Sequence, residues 1–316
     1  MMTEALLVRE SSVMRIVRCG LVALCATLLA AAPAMAQELT GTLKKVKETG
    51  TIALGHRESS IPFSYYDDKQ QVVGYAMDLC YRIVDAIKAE LKMPTIQMKL
   101  NPVTSATRIP LMANGTIDLE CGSTTNNLER QKQVWYTITH FVAANRFVSK
   151  KASNLRRLED LKGKTVVSTS GTTNLKQVTE LNAQKNLGVN ILTAKDHAEA
   201  FLMVDTGRAV AFVMDDILLF SLVATSRNPA DWAISDDALS VEPYGIMLRK
   251  DDVAFKKVVD NAMINLYQSG EISKIYEKWF LKPVPPKEIN LNVVMSPEFK
   301  KVVANPTDSG DPAAYQ

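Results

Sequence analysis

The sequence lacks the short motifs of the common catalytic and nucleotide-binding sites. It contains no G-x-S-x-G nucleophile turn, no H-E-x-x-H zinc motif and no glycine-rich nucleotide loop. Histidine is scarce, and His56, His140 and His197 are far apart, without cysteine or carboxylate clusters at metal-ligand spacing. We therefore expect no metal site and no cofactor, although missing motifs do not by themselves exclude catalysis.

A concentration of charge of one sign is also lacking. The 37 Lys and Arg residues are dispersed among 34 Asp and Glu residues, and the formal net charge is +3. This mixture is typical of an ordinary solvated surface and gives no reason to expect nucleic-acid binding. Long apolar runs are absent after residue 36, so we expect no membrane span in the body of the chain.

The N-terminus has the composition of a secretory leader. A short basic segment at residues 14–18 precedes an apolar run from Leu21 to Ala32, and Ala34-Met35-Ala36 fits a cleavage site. This order predicts a signal peptide over residues 1–36, with Met1 or Met14 as the start, and hence export to the periplasm. A retained membrane anchor is the alternative, but the run is short for a span.

Cysteine is scarce too, and only Cys80 and Cys121 lie beyond the leader. An oxidising compartment would allow them to form a disulfide. Their separation in sequence does not say whether their Cα atoms are close enough, so the pairing is an open question at this point.

The remaining chain, about 280 residues, is long enough for two domains. Helix-like and strand-like segments alternate, as in the helical period of residues 74–91 and the alternation of residues 96–100. This order predicts an α/β fold with parallel strands. Residues 241–248 are extended and precede two amphipathic helices. We expect the compact part to end at residues 283–286 and the polar tail after Asn305 to be disordered.

Hydroxyl and cationic side chains occur at predicted strand ends and helix starts. Glu120 to Arg130 is predicted as a strand end entering a helix, where free N–H groups, hydroxyls and Arg130 suit a carboxylate or phosphate. An ordinary helix cap with an exposed arginine is an equally open interpretation. The other such fragments are Gly55–Ser60, Thr104–Arg108, Thr169–Thr173, Lys195–His197 and Met214–Asp216.

Taken together, the fragments resemble the glutamate/aspartate-binding proteins of bacterial ABC transporters, within the amino-acid-binding, type II periplasmic binding protein family. The resemblance covers about residues 43–286. It is carried by GHRESSIPFSYYD, TSATRIPL, ECGSTTNNLERQKQ, TSGTTNLK, AKDHAEAF, GRAVAFVMDD and YGIMLRKDD.

The resemblance implies two α/β lobes joined by two crossing strands, with the ligand in the cleft between them. The crossing strands would lie near residues 144–148 and 241–248. The implied domains are a signal peptide 1–36, lobe I at 39–143 and 244–286, lobe II at 144–243 and a C-terminal tail 287–316. Related proteins often carry a cysteine where this chain has Ile246, so a disulfide from Cys121 to that position is impossible here.

The resemblance also implies roles for nine residues at matching motif positions. The α-carboxylate of the ligand would be bound by Arg130, Thr125 and Thr173. The α-ammonium would be bound by Ser123 and Asp215. The side-chain carboxylate would be bound by Arg57, Ser105, Arg108 and His197. Because a buried ligand needs every charge paired, this additional cationic cluster favours an acidic amino acid over a neutral one.

The implied function is capture of L-glutamate or L-aspartate by cleft closure and delivery to an inner-membrane ABC permease, by a monomer. Two alternatives are a periplasmic dehydratase-type enzyme on the same fold and a ligand-sensing module of a receptor.

Overall fold

The structure, a computed structural model, describes residues 39–315. The predicted signal peptide lies outside the described residues. Within residues 39–315, no helix combines the length and the apolar character that crossing a bilayer requires.

Five strands form the first sheet: β1 Thr51–His56, β5 Gln97–Pro102, β6 Leu119–Cys121, β7 Val134–Tyr136 and β14 Met247–Arg249. Their order is β5-β1-β6-β14-β7. Strand β1 runs parallel to β5 and β6, whereas β14 is antiparallel to β6 and β7. The sheet is therefore mixed rather than wholly parallel as predicted, because β14 returns from the C-terminal part of the chain and inserts between β6 and β7.

Six strands form the second sheet: β8 Phe141–Lys150, β9 Thr165–Thr169, β10 Asn190–Ala194, β11 Ala211–Asp215, β12 Trp232–Ile234 and β13 Ser240–Tyr244. The order is β10-β9-β11-β8-β12, and β13 also pairs with β8. Strands β9, β10 and β11 are parallel, and their carboxyl ends lie at one edge of the sheet.

Strands β8 and β13 carry the chain between the two sheets. They pair antiparallel, from Ser240 opposite Asn145 to Tyr244 opposite Phe141. The chain enters the second sheet along β8 and leaves it along β13. This topology confirms the predicted two-lobed architecture with two crossing strands.

Nine α-helices cover the described sheets. They are α1 Gly41–Thr49, α2 Tyr75–Leu91, α3 Arg108–Ala113, α4 Thr173–Gln184, α5 His197–Asp205, α6 Asp216–Thr225, α7 Val253–Gln268, α8 Glu271–Phe280 and α9 Pro297–Ala304. Short strands form two smaller sheets. One contains β2 Ser59–Ser60, β3 Ser64–Tyr66 and β4 Val72–Val73, and the other contains β15 Pro283–Val284 and β16 Ile289–Asn290. The apolar period of α2 buries Leu79, Ile83 and Ile87, and each such side chain contributes about 1.5–3 kcal/mol of transfer free energy.

An aromatic cluster packs where the crossing strands enter the first lobe. The ring of Phe63 lies 5.1 Å from Phe141 and 5.2 Å from Tyr244, centroid to centroid, in edge-to-face geometry. Phe141 also stacks on Phe280 of α8 at 5.1 Å. Edge-to-face and stacked rings add to the burial energy and fix the geometry of the strands at this point.

Cys80 and Cys121 form a disulfide, with their Cα atoms 6.2 Å apart. It joins α2 to the last residue of β6. The question that sequence spacing left open is thus answered by the fold, since the two elements pack against each other in the first lobe.

The prediction that the compact part ends at residues 283–286 and that the tail after Asn305 is disordered was wrong. Helix α9 buries Phe299 and Val302, and the chain then ends in a 3-10 turn over Pro312–Tyr315. Tyr315 is buried, and its hydroxyl lies 2.7 Å from Thr139 Oγ1. Polar composition misled here because the segment is ordered by contacts with the first lobe rather than by a core of its own.

Candidate ligand-binding cleft

A cavity lies between the lobes where strand ends and helix starts of both sheets face each other. It is narrow and partly open to solvent. Its lining consists of Ser105, Arg108, Ser123, Thr125, Thr172, Thr173, Asn174, His197, Met214, Asp215 and Leu218. Seven of the nine predicted site residues are in this lining, and the other two, Arg57 and Arg130, contact lining residues.

The stretch after β6 does not begin a helix, so that prediction was wrong. Its backbone instead pairs with the crossing strand: Asn126 N–H donates to Pro243 O at 2.7 Å, and Gly245 N–H donates to Thr124 O at 3.1 Å. Only a 3-10 turn follows, over Arg130–Lys132. The extended backbone presents Ser123 and Thr125 to the cavity.

Arg130 closes one side of the cavity. Its Nη1 donates to Thr125 O at 2.8 Å, and its Nη2 donates to Gly171 O of the second lobe at 3.1 Å. Gly171 has φ +76°, and a Cβ there would lie 2.5 Å from Ala106 Cα of the first lobe. Only glycine permits this close approach. The lobes therefore touch across the cleft, and the structure is a closed form.

The N-terminus of α4, next to Arg130, contributes Thr173 and Asn174 to the cavity lining. Thr172 caps the helix by accepting from Leu175 N–H at 3.1 Å. Thr172 and the first residues of the helix line the cavity, and a helix N-terminus favours an anion. The Thr173 hydroxyl donates to Glu242 Oε2 at 2.8 Å. The Thr173 hydroxyl proton is therefore engaged by Glu242 in this structure.

Asp215 ends β11 and is held by two donors. Asn174 Nδ2 donates to its Oδ1 at 2.7 Å, and the Tyr244 hydroxyl donates to its Oδ2. Burial, and secondarily the charge of the neighbouring Glu242, raise the pKa of Asp215 to about 7. An ammonium group at this site would pair with the carboxylate and reverse that shift.

Arg57, Arg108 and His197 meet at another part of the cleft. Arg57 Nη2 lies 3.5 Å from His197 Nε2, and His197 Nδ1 lies 2.9 Å from Thr169 Oγ1. Burial, followed by the charges of Arg57 and Arg108, holds the pKa of His197 well below its usual value. His197 is therefore neutral without a neighbouring anion, and the two arginines provide the positive charge of this part of the cleft.

Several donors around the cavity have no hydrogen-bond partner within residues 39–315, although they are buried. They are Arg57 Nη1, Ser105 Oγ, Arg108 Nε and Ser123 Oγ. Buried polar groups are normally paired. Their convergence on one cavity is the arrangement expected of a polar ligand site. Residues 39–315 contain no group of three or more His, Cys, Asp or Glu side chains that could hold a metal ion.

Comparison with known proteins agrees with this geometry. The profile of "Bacterial extracellular solute-binding proteins, family 3" matches residues 52–282. The chain belongs to this family. Its C-terminal segment, residues 283–315, lies beyond the part that the profile matches.

Two relatives and one solved structure illustrate the similarity. The L-glutamate/L-aspartate-binding protein of Pseudomonas aeruginosa is 54% identical over 281 residues, 89% of this chain and 93% of the relative. The glutamate/aspartate import solute-binding protein of Escherichia coli K12 is 47% identical over 280 residues, again 89% and 93%. An ancestral arginine-binding protein bound to arginine superposes with a TM-score of 0.66 at 30% identity, covering 73% of this chain and 98% of that chain.

Sequence reasoning missed the residues that support this solute-binding site from behind. Glu120 and Thr124 are inside the stretch singled out above, and Glu242 and Tyr244 are on β13. The first pair carried a signal, since a glutamate in an apolar strand needs a partner. The sequence contains no such signal for Glu242 and Tyr244, because their contacts with Thr173 and Asp215 form only in the folded chain.

Proposed function

We propose that this protein is the periplasmic solute-binding component of an ABC importer and that it captures L-glutamate and L-aspartate between its lobes. Export and cleavage of residues 1–36 would place the mature chain, acting as a monomer, in the periplasm. The closed, ligand-loaded form would then deliver the amino acid to an inner-membrane permease. Nucleic acid has no role in this proposal.

The observation that carries the ligand assignment is the division of charge in the cleft. Arg130 and the N-terminus of α4 suit the α-carboxylate, and Asp215 suits the α-ammonium. Arg57 and Arg108, buried and with unpaired nitrogens, remain for a second carboxylate. A neutral side chain would leave a net positive charge in this pocket without a partner, at a cost that disfavours it.

The relatives support the same ligand class and a transport role. Both relatives at 47–54% identity are named for glutamate and aspartate, one of them as an import protein. A dehydratase on the same fold is not favoured by these names.

Cleft closure would be coupled to binding because the ligand contacts come from both lobes. Arg130, Thr125 and Arg108 belong to the first lobe, whereas Thr173 and Asp215 belong to the second. A ligand that contacts both groups binds the closed form more tightly and shifts the hinge equilibrium toward it.

The first experiment is mass spectrometry of whatever small molecule copurifies with the protein and is released on denaturation. Calorimetry with L-glutamate, L-aspartate and L-glutamine on protein freed of that ligand then gives the affinities. We expect both acidic amino acids to bind far more tightly than glutamine. Tight binding of a neutral or basic amino acid instead would refute the assignment.

The second experiment tests the side-chain pocket. Arg108→Ala removes one of the two cations and should weaken L-glutamate binding far more than residual glutamine binding. Arg82→Ala is the matched control, since Arg82 is a half-exposed residue of α2 that pairs with Glu271, and it should leave both affinities unchanged. Equal losses for the two ligands in Arg108→Ala would place Arg108 outside the side-chain pocket.

A further inference from the structure

Glu120 is a fully buried carboxylate directly behind the side-chain pocket. It lies in the middle of β6, and its Oε2 accepts a hydrogen bond from Thr124 Oγ1 at 2.5 Å. Arg108 Nη1 in turn donates to Thr124 Oγ1, also at 2.5 Å. The donor order is consistent, since the guanidinium can only donate and the ionised carboxylate can only accept. Thr124, itself buried, therefore links Glu120 to Arg108.

Glu120 also packs against the other arginine of the pocket. A Cβ on Gly122 would lie 2.4 Å from Glu120 Oε1 and 3.0 Å from Arg57 Cγ, so glycine at this position lets both side chains lie close to the loop. Glu120 Oε1 is buried and has no hydrogen-bond partner within residues 39–315. Its charge acts on the arginines through space rather than through a direct bond.

The pKa values of the two arginines also depend on Glu120. Burial lowers the pKa of Arg57 and Arg108, that of Arg108 to about 9. For both arginines, the largest opposing influence is the charge of Glu120. The positive charges of Arg130 and Arg57 lower the pKa of Arg108 further. Glu120 is thus the main compensating charge for two buried cations.

We propose that Glu120, acting through Thr124, is a positioning residue that orients Arg108 and fixes the charge of the side-chain pocket at a value that one ligand carboxylate neutralises. Two guanidinium groups, one fixed carboxylate and a neutral His197 leave one net positive charge. One ligand side-chain carboxylate balances it. This inference rests on the proposed function, because it takes the ligand to be an acidic amino acid.

Two substitutions separate the charge of Glu120 from its effect on the orientation of Arg108. Glu120→Gln keeps the size and an acceptor for Thr124 but removes the charge, so the pocket gains positive potential. Thr124→Val keeps the size and removes the hydroxyl that joins Arg108 to Glu120, while both charges remain. The two variants should therefore change the preference for glutamate over glutamine in opposite directions.

The experiment measures the glutamate and glutamine affinities of each variant by calorimetry, with glutamine measured in competition against glutamate where it binds weakly. Glu120→Gln should raise the ratio of the two affinities about tenfold or more, since an uncompensated charge a few ångströms away acts on the carboxylate alone. It should also make binding more sensitive to chloride. Thr124→Val should weaken glutamate binding about tenfold and lower the ratio. Thr124→Ser, which keeps the hydroxyl, should have the glutamate affinity and the affinity ratio of the wild type.

Asp118→Asn is the matched control, because Asp118 is also a fully buried carboxylate but pairs with Lys45 and Arg249 away from the cleft. It should destabilise the fold without changing the affinity ratio. A ratio within twofold of the wild type in folded Glu120→Gln would overturn the inference. If that variant does not fold, an unchanged ratio in Thr124→Val would do so. Failure of the wild-type protein to bind either acidic amino acid would instead refute the proposed function.

Discussion

The hydroxyl of Tyr244 donates a hydrogen bond to Asp215 Oδ2, which links the carboxylate at the end of β11 to the crossing strand β13. Tyr244 also packs on Phe63 in the aromatic cluster of the first lobe. The group that we assign to the ligand ammonium is therefore held by the strand that joins the lobes. The hydrogen bond between Tyr244 and Asp215 therefore connects the ionisation of Asp215 to a strand that crosses between the lobes.

Binding should release a proton near pH 6. The pKa of Asp215 is raised to about 7 by burial and by the neighbouring Glu242, so this carboxyl group is largely protonated below that pH. An ammonium ligand requires the ionised form and lowers the pKa again. Affinity should rise with pH between about 5.5 and 7.5. Calorimetry at pH 6 in buffers of different ionisation enthalpy measures the release, and a binding enthalpy independent of buffer would contradict the expectation.

Tyr244→Phe should move that dependence to higher pH. The variant removes a donor that stabilises the ionised carboxylate, so the pKa of Asp215 rises further and binding at pH 7 weakens by about tenfold. Tyr276→Phe is the control, because it removes a hydroxyl from the same aromatic cluster without touching Asp215. The affinity of each variant is measured from pH 5.5 to 9. Parallel pH profiles for Tyr244→Phe and the wild type would show that the hydrogen bond has no influence on ionisation.

His140 should make the protein less stable as the pH falls below about 6.5. It is buried among aromatic rings, and burial lowers its pKa to about 3. The unfolded chain binds a proton near pH 6.5 and the folded chain does not, so the free energy of unfolding decreases by up to about 1.4 kcal/mol per pH unit below that value. His197 acts in the same direction. Asp215 acts in the opposite direction, because its raised pKa stabilises the folded state as the pH falls from about 7 toward 4.

Substitution isolates the contribution of His140 from the others. His140→Leu removes the titrating group at similar volume, so its free energy of unfolding should vary less between pH 7 and pH 4.5 than that of the wild type. Urea unfolding at each pH measures the difference. Equal slopes in the two proteins would mean that the pKa of His140 is the same in the folded and unfolded states.

The two-lobed fold could be predicted from the alternation of helices and strands together with the family resemblance. Of the nine residues that the resemblance assigned to the ligand, seven line one cavity, and Arg57 and Arg130 contact that lining. What local sequence did not reveal depends on contacts between distant segments. The loop after Cys121 is not helical because its backbone pairs with β13, more than 100 residues away. The pKa of His197 is lowered mainly by burial and further by the charges of Arg57 and Arg108, which only the fold brings close to it. The link from Glu120 to Arg108 likewise forms only in the folded chain, through the hydroxyl of Thr124.

The disulfide should stabilise the first lobe. Cys80 and Cys121 enclose a chain segment with a sequence separation of 41 residues, and cross-links of this size contribute about 2–4 kcal/mol. Thermal unfolding of the mature protein with and without reductant measures the effect. The double variant Cys80→Ser/Cys121→Ser should unfold at the lower temperature in both conditions. Sensitivity of that variant to reductant would mean that the effect has another source.

The C-terminal segment 305–315 should stabilise the loop that carries Ser123, Thr125 and Arg130. Asn126 Nδ2 donates to Asp308 O at 2.8 Å, Gln131 Nε2 donates to the same oxygen at 3.0 Å, and the Asp308 carboxylate pairs with Lys256 at 2.8 Å. A chain that ends at Ala304 loses these contacts together with the buried ring of Tyr315. Its free energy of unfolding should fall by about 2 kcal/mol or more.

Truncation should also weaken glutamate binding, since the backbone of residues 123–130 would lose its support on the side away from the cavity. We expect a loss of about threefold to tenfold in affinity, carried mainly by faster dissociation. Asp311→Ala is the control, because the hydrogen bonds of Asp311 are confined to its own turn, and it should change neither quantity. Stopped-flow measurement of dissociation and urea unfolding of the three proteins test both expectations. A truncated chain with wild-type dissociation and reduced stability would restrict the segment to a stabilising role, because loop support and fold stability would then be independent.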